Sequence, residues 1–324
     1  MGWHRSCTDI AYFQNQIRKD FSFTKYYHTA TFTYTFDHDD DTVFLAYCFP
    51  YTYTDLVTDL NTIERDPRRR KYINRTILCK TIAGINCELV TITETSSLVA
   101  SELMNETKDQ KRKGVIISSR VHPGETVGSF MMRGILFFLT DPDNKEAMLL
   151  RQNFVFKIIP MLNPDGVING NYRCSLAGCD LNRRWKFPSK MLQPEVYHCK
   201  KLIKQVHSER QLTMYCDLHG HSRKPNVFMY GCNTKAPEEC RIFPLLLSKI
   251  SPMFEFKASK FGVQKSKEAT ARVAMFKELK NVPLIYTMES TFSGMTINDF
   301  AGQHVDIPLL EMMGRDLVRT LLVH

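Results

Sequence analysis

Two residues set the first chemical possibility in this chain. His122 and Glu125 stand three positions apart in the segment GVIISSRVHPGE, residues 114–125. Val115, Ile116 and Ile117 form a short apolar run suited to a buried strand. Pro123 and Gly124 then make a turn. A histidine and a carboxylate on a tight turn past a strand can face one point, about 2 Å from a metal ion. Residues 126–140 carry Met131, Met132, Ile135, Leu136 and Leu139 at helical spacing, so the pair should lie between two rigid elements. Alone, H-x-x-E is a common coincidence; the partners downstream decide its meaning.

A catalytic zinc takes three protein ligands and keeps one position open. His219, after the strand-like LTMYCDL, offers the third donor, and His221 is a rival that an extended backbone would point the same way. Asp217 and Gly220 fit a strand end at His219, which leaves His221 to donate a supporting hydrogen bond. The segment NPDGVINGNYRCSLAGCDLNRRW opens on a turn and continues irregularly, with Arg173, Asn182 and Arg183 hanging from it. Arginine suits a carboxylate because its planar fork donates two parallel hydrogen bonds. Arg183 and Arg184 beside Trp185 also read as ordinary surface charge. Glu289 ends the apolar run VPLIYTM, where a carboxylate costs free energy unless it is paired or used.

The elements that must hold these groups follow from periodicity. FTYTF and TVFLAYCF read as strands around an acidic turn at 37–41, and residues 51–65 as a helix broken by Asp66 and Pro67. From Lys71 strands and helices alternate. TILCKTIA and CELVTIT form a strand pair, and GVIISS, NFVFKIIPML, LTMYCDLHG, NVFMYG and PLIYTMES are further strands. Helices are expected at 126–140, 194–208, around 269–279 and at 309–322. The alternation predicts an α/β fold, a mixed β-sheet flanked by helices. Sites in such sheets gather at the C-terminal ends of strands, where His122, Glu125, residues 163–166, His219 and Glu289 all fall. Two or three strands in residues 1–50 cannot form a stable sheet alone. That segment should either extend the main sheet or end a larger β domain.

With 324 residues, 43% hydrophobic and 24% charged, the chain has the balance of a globular protein with a large core. No apolar run approaches the ~18 residues needed to cross a membrane. The start, MGWHRSCTDIAYF, lacks an apolar signal core, so a cytoplasmic location is expected. Ten cysteines without a C-x-x-C read as free thiols in a reducing compartment, although Cys174 and Cys179 flank a loop and could pair. The net charge of +9 favours acidic partners. The basic runs at 68–71 and 111–113 are not interleaved with aromatics, so nucleic acid is not the expected partner.

His122-Pro123-Gly124-Glu125, the NPDG turn, YRCSLAGCDLNRRW, DLHGHS and YTMESTF, in that order, resemble the cytosolic carboxypeptidases. These are the intracellular branch of the zinc M14 metallocarboxypeptidases, and the likeness covers roughly residues 72–295. The stretch FTYTFDHDDDTVFLAYCFPYTYTDL resembles the end of the β-sandwich that precedes catalysis in this branch. The resemblance therefore implies a sandwich remnant at 1–50 and a catalytic domain at 51–324. It implies one zinc per chain on His122, Glu125 and His219, with Glu289 as general base and acid and Arg173 stabilising the oxyanion. Asn182 and Arg183 would hold the substrate's terminal carboxylate. The implied substrates are C-terminal glutamates on acidic tails such as those of tubulin. The implied setting is a cytoplasmic monomer near microtubules or cilia.

A glutamate side chain needs a cation at the base of its pocket. In KSKEATARV, where the family keeps its pocket determinants, Arg272 is the first candidate and Lys267 the second. Ala269 and Ala271 stand where the family usually shows glycine, and Gly124 stands where the digestive enzymes carry arginine. No tyrosine precedes Arg272 in this stretch to act as a lid. Three other readings compete: release of C-terminal tyrosine or another neutral residue, an M14-like deacylase of N-acyl amino acids, and a silent tubulin-binding protein. The silent form would lack a zinc ligand or Glu289, and all four residues are present.

Overall fold

The computed structural model describes residues 3–19, 25–94, 112–279 and 281–324; Lys111 of the basic run at 111–113 lies outside the described residues. The chain divides into two compact units, Met1–Pro50 and Tyr51–His324. In the first, β1 (Thr8–Arg18) and β2 (Tyr26–Thr33) pair antiparallel. Ile10, Tyr12, Phe13, Ile17 and Phe32 are exposed on this ribbon. The expected strand FTYTF gives only Phe32 and Thr33 to β2, and TVFLAYCF forms no strand. Its Val, Phe and Tyr favour extended backbone, but a strand exists only where a second edge accepts its hydrogen bonds. Residues 42–49 have no such ladder partner among the described residues.

The second unit opens with α1 (Tyr53–Arg65), started by a reciprocal cap. Thr52 accepts from the Asp55 amide while the Asp55 carboxylate accepts from the Thr52 amide. The hairpin β3 (Ile73–Lys80) and β4 (Asn86–Ile92) follows, then β5 (Lys113–Ser119), α2 (Val127–Leu139), α3 (Lys145–Asn153) and β6 (Phe154–Ile159). A short α4 (Pro164–Ile168) and the longer α5 (Pro194–Glu209) lead to β7 (Leu212–His221) and β8 (Val227–Tyr230). The chain ends with α6 (Glu239–Ile250), α7 (Ala271–Glu278), β9 (Leu284–Thr291) and α8 (Ile307–Arg319). Neither α3 nor α6 was expected from periodicity. Helix α3 runs into β6 without a breaker, and α6 contains Pro244, which reads as a stop.

Among the described residues, seven strands form one sheet in the order β3-β4-β6-β5-β7-β9-β8. The central β6, β5, β7 and β9 run parallel, whereas β4 joins β6 and β8 joins β9 antiparallel. This is the mixed, helix-flanked sheet that the alternation predicts. Strand β5 lies between β6 and β7, so the chain leaves it towards one side and returns on the other. Crevices form at the C-terminal ends of strands where the order reverses in this way. Beyond Lys113 all of β5 is buried. One face carries a core that includes Ile116, Trp185, Tyr215 and Ile285.

The helix after β5 is fixed by close backbone packing. A Cβ on Gly134 of α2 would lie 2.1 Å from the Glu311 carbonyl oxygen, and one on Gly314 of α8 would lie 1.9 Å from that of Met131. Only glycine allows that approach. The His122–Glu125 turn therefore sits between a buried strand and a closely packed helix. No helix among the described residues is long and apolar enough to cross a membrane. All ten cysteines, Cys174 and Cys179 included, are free thiols.

Candidate metal centre

The turn between β5 and α2 is held by its neighbours. Gly124 donates its amide to the Tyr172 carbonyl at 2.8 Å, and a Cβ there would collide with the same carbonyl and with the Tyr172 ring. The NPDG segment packs from below. Asn163 donates to the Val121 carbonyl at 3.2 Å and accepts from the Gly166 amide at 3.0 Å. A Cβ on Gly166 would lie 2.4 Å from the Pro123 ring, so the two turns interlock. Asp165 is anchored by Thr81 and the Ala83 amide. NPDG is thus a bracket for the His122–Glu125 turn.

His122, Glu125 and His219 are all buried, and one donor atom from each lies within 4.8 Å of the other two. His122 Nδ1 is 2.7 Å from Glu125 Oε1, and His219 Nδ1 is 2.9 Å from Glu125 Oε2. The far side of each ring meets another carboxylate. His122 Nε2 is 3.1 Å from Asp180 Oδ1, and His219 Nε2 is 2.7 Å from Asp217 Oδ2. Asp217 in turn accepts from Ser118 at 2.7 Å. In the tautomer where each Nε2–H is donated to its aspartate, both Nδ1 lone pairs face the Glu125 carboxylate. Three acceptors converging in a buried space need a cation between them. Two imidazoles, one carboxylate and carboxylate-anchored rings make a donor set that fits zinc.

The electrostatics show a site that draws positive charge, whether from protons on the rings or from a cation among the donors. Burial opposes charge on Glu125, but His219 and His122 outweigh it and hold the carboxyl well below its usual range. Burial likewise opposes charge on Asp180, and the His122 hydrogen bond with Arg173 and Arg183 nearby holds it low. Burial would lower His122, yet Asp180 and Glu125 raise it. His219 is raised against its burial by Asp217 and Glu125.

Glu289 on β9 is the register partner of His219 on β7. Burial lifts its carboxyl to about 7, with His219 pulling down and Glu125 pushing up. Arg173 donates from Nε to Asp180 at 2.9 Å and reaches within 4.0 Å of Glu125 Oε1. Asn182 is buried, and its Oδ1 accepts from the Ala271 amide at 2.8 Å, leaving its NH2 group as a donor. Arg183 is partly exposed and lies 3.9 Å from Asp180. Lys267 is lowered first by burial, then by Arg183 and Arg173, and it also senses Glu289 and Asp180. Those neighbours place it at the same crevice. Arg272 is buried on the inner side of α7, donating to the Gly231 carbonyl and to Cys232 Sγ, with its guanidinium 5.9 Å from the Tyr230 ring centroid.

His221 does not join the donors. Its Nδ1 accepts from the Arg223 and Lys224 amides, and its ring packs edge-on against Phe228. The expected supporting donor is a cap for the turn after β7. Asp180, which links His122, Arg173 and Arg183, is a member of the candidate site that the sequence reading did not single out. A carboxylate just before the cationic run LNRR was the available signal. Asp217, used only to mark a strand end, shares the face of His219 two residues on, as strand alternation requires.

Residues 61–289 match the family described as “Zinc carboxypeptidase”. The chain belongs to that family. It is 45% identical over 327 residues to “Cytosolic carboxypeptidase 2” of Xenopus tropicalis, covering 99% of this chain and 32% of that protein. It is 43% identical over 330 residues to “Cytosolic carboxypeptidase 3” of Mus musculus, covering 99% of this chain and 31% of that one. The chain thus spans about a third of the length of these relatives. A metallo-carboxypeptidase from Burkholderia cenocepacia shares the zinc carboxypeptidase fold, with a TM-score of 0.72 and 24% identity. That match covers 86% of this chain and 70% of the other.

Proposed function

We propose that this chain is a zinc-dependent metallocarboxypeptidase that removes C-terminal glutamates from acidic peptide tails, such as polyglutamylated tubulin. The observation that carries the reading is the placement of Glu289 opposite His219, at the rim of a His-Glu-His donor set. Zinc held by His122, Glu125 and His219 would supply Lewis acidity towards the scissile carbonyl and a water acidified towards neutrality. Glu289 takes the proton of the attacking water and delivers it to the leaving amine. Arg173 donates to the developing oxyanion from beside Glu125. Asn182 and Arg183 receive the terminal carboxylate, which restricts cleavage to the last residue.

The glutamate preference rests on the cations around the crevice. Lys267 is partly buried among Arg183 and Arg173, a setting that favours a carboxylate side chain. Arg272 adds positive potential from behind Tyr230. The partners in this reading are proteins with glutamate-rich C-termini, met by a monomer in the cytoplasm at microtubules or cilia. The names of the relatives support the carboxypeptidase part of it. Comparing release of the last residue from a polyglutamate-ended peptide and a tyrosine-ended peptide tests the preference. Faster glutamate release is expected; faster tyrosine release would overturn the pocket assignment.

A further inference from the structure

One charged residue beside the metal turn takes no part in the chemistry above. Arg120 lies between β5 and His122, is 2% exposed, and has φ +56°, a conformation that side-chain-bearing residues rarely adopt. Its Nε and Nη2 both donate to the Pro123 carbonyl, at 3.0 and 2.6 Å. Its Nη1 donates to Ser129 Oγ at 2.8 Å and to the Tyr51 carbonyl at 3.0 Å. One guanidinium therefore joins the turn, the first part of α2 and the residue that opens the second unit.

The Pro123 carbonyl and the Gly124 amide belong to one peptide plane, and that plane lies between the two ligands His122 and Glu125. Arg120 holds its oxygen with two bonds, and the Tyr172 carbonyl holds its N–H at 2.8 Å. A plane held at both ends fixes ψ at Pro123 and φ at Gly124, and an uncompensated change in either torsion would re-aim His122 relative to Glu125. We propose that Arg120 is a positioning residue for the metal, locking the Pro123–Gly124 peptide so that His122 and Glu125 stay aimed at one ion. Buried guanidinium is expensive to desolvate, so a residue kept there must return a comparable gain in hydrogen bonding. The inference depends on the three metal ligands and not on which substrate is cleaved.

The test uses the zinc-loaded protein and its Arg120→Gly and Arg120→Lys variants. Glycine accepts the positive φ, so Arg120→Gly removes the guanidinium without adding backbone strain. The reading is the rate of zinc transfer to an excess of a chromogenic chelator, with circular dichroism as the check on folding. Groups that orient metal ligands typically contribute 10–100-fold in metal affinity, so transfer should speed up by about that factor in Arg120→Gly. Millimolar guanidinium ion should slow it back towards wild type. A folded Arg120→Gly that keeps wild-type transfer, or one that loosens zinc without guanidinium rescue, would overturn the proposal. If Arg120→Gly does not fold, Arg120→Lys decides. One ammonium cannot span Pro123, Ser129 and Tyr51, so fast transfer supports the role and wild-type transfer refutes it.

Discussion

His219 and Glu289 face each other as register partners across the parallel strands β7 and β9, on one face of the sheet. The spacing between the candidate metal ligand and the proposed base is thus set by backbone hydrogen bonds. Glu289→Gln keeps the shape and removes the proton acceptor. It should lower kcat by roughly 10²–10⁴-fold, with KM and zinc content close to wild type. Steady-state kinetics with metal analysis reads both; a tenfold fall in zinc content would make Glu289 a structural residue instead.

Asp180 is bonded to His122 and Arg173 together. In Asp180→Asn the anchored tautomer of His122 loses its charge-assisted partner, and Arg173 loses its tether. Zinc affinity should fall about 10–100-fold, and kcat should fall further than metal loss explains. Competition in zinc-buffered solutions, followed by kinetics at saturating zinc, separates the two effects.

Lys267 and Arg272 should respond differently to neutralisation. Lys267→Gln should cut kcat/KM for glutamate-ended peptides by about ten- to a hundredfold, the worth of one charged hydrogen bond, and spare tyrosine-ended ones. Arg272→Gln removes the donor to the Gly231 carbonyl and Cys232 Sγ, so a fall in thermal stability should accompany any change in specificity. Equal losses on both peptides would show that Lys267 does not read the side chain.

Stability should depend on pH through Glu195 in the first turn of α5. Burial, reinforced by Asp165, raises its carboxyl from the ordinary 4.5 to about 7. Between those values the folded protein keeps a proton that the unfolded chain has released. Unfolding free energy therefore falls as pH rises from about 4.5 to about 7, then levels off. Glu195→Gln removes this slope and should gain on wild type by about 3 kcal/mol between pH 4 and pH 8. Thermal melts of both proteins across that range test it, and parallel curves would refute it.

Much of this centre was legible in the sequence because its parts are local. The His122–Glu125 pair, the apolar run of β5 and the periodic α2 are contiguous, so turn chemistry and spacing give them directly. His219 and Glu289 stand out as polar residues at the ends of apolar strands. Asp180 was hidden because its partner His122 is 58 residues away and only the folded loop joins them. Arg120 was hidden because its positive φ and its bonds to Pro123, Ser129 and Tyr51 exist only after α1, β5 and α2 have packed. TVFLAYCF shows the opposite failure, since strand composition without a pairing edge yields no strand. His221 was misread because alternation along β7 fixes its face, whereas the following turn claims its ring nitrogen.

In the proposed reaction a metal at His122, Glu125 and His219 works with Glu289 to release a terminal glutamate. The most direct measurement is glutamate release from a polyglutamate-ended peptide by the zinc-loaded protein, the chelated protein, the protein resupplied with zinc, and Glu289→Gln. Release that stops on chelation, returns with zinc and is missing in the zinc-retaining Glu289→Gln is the predicted result. Release that survives chelation, or persists in Glu289→Gln at the wild-type rate, would contradict these roles for the metal and Glu289.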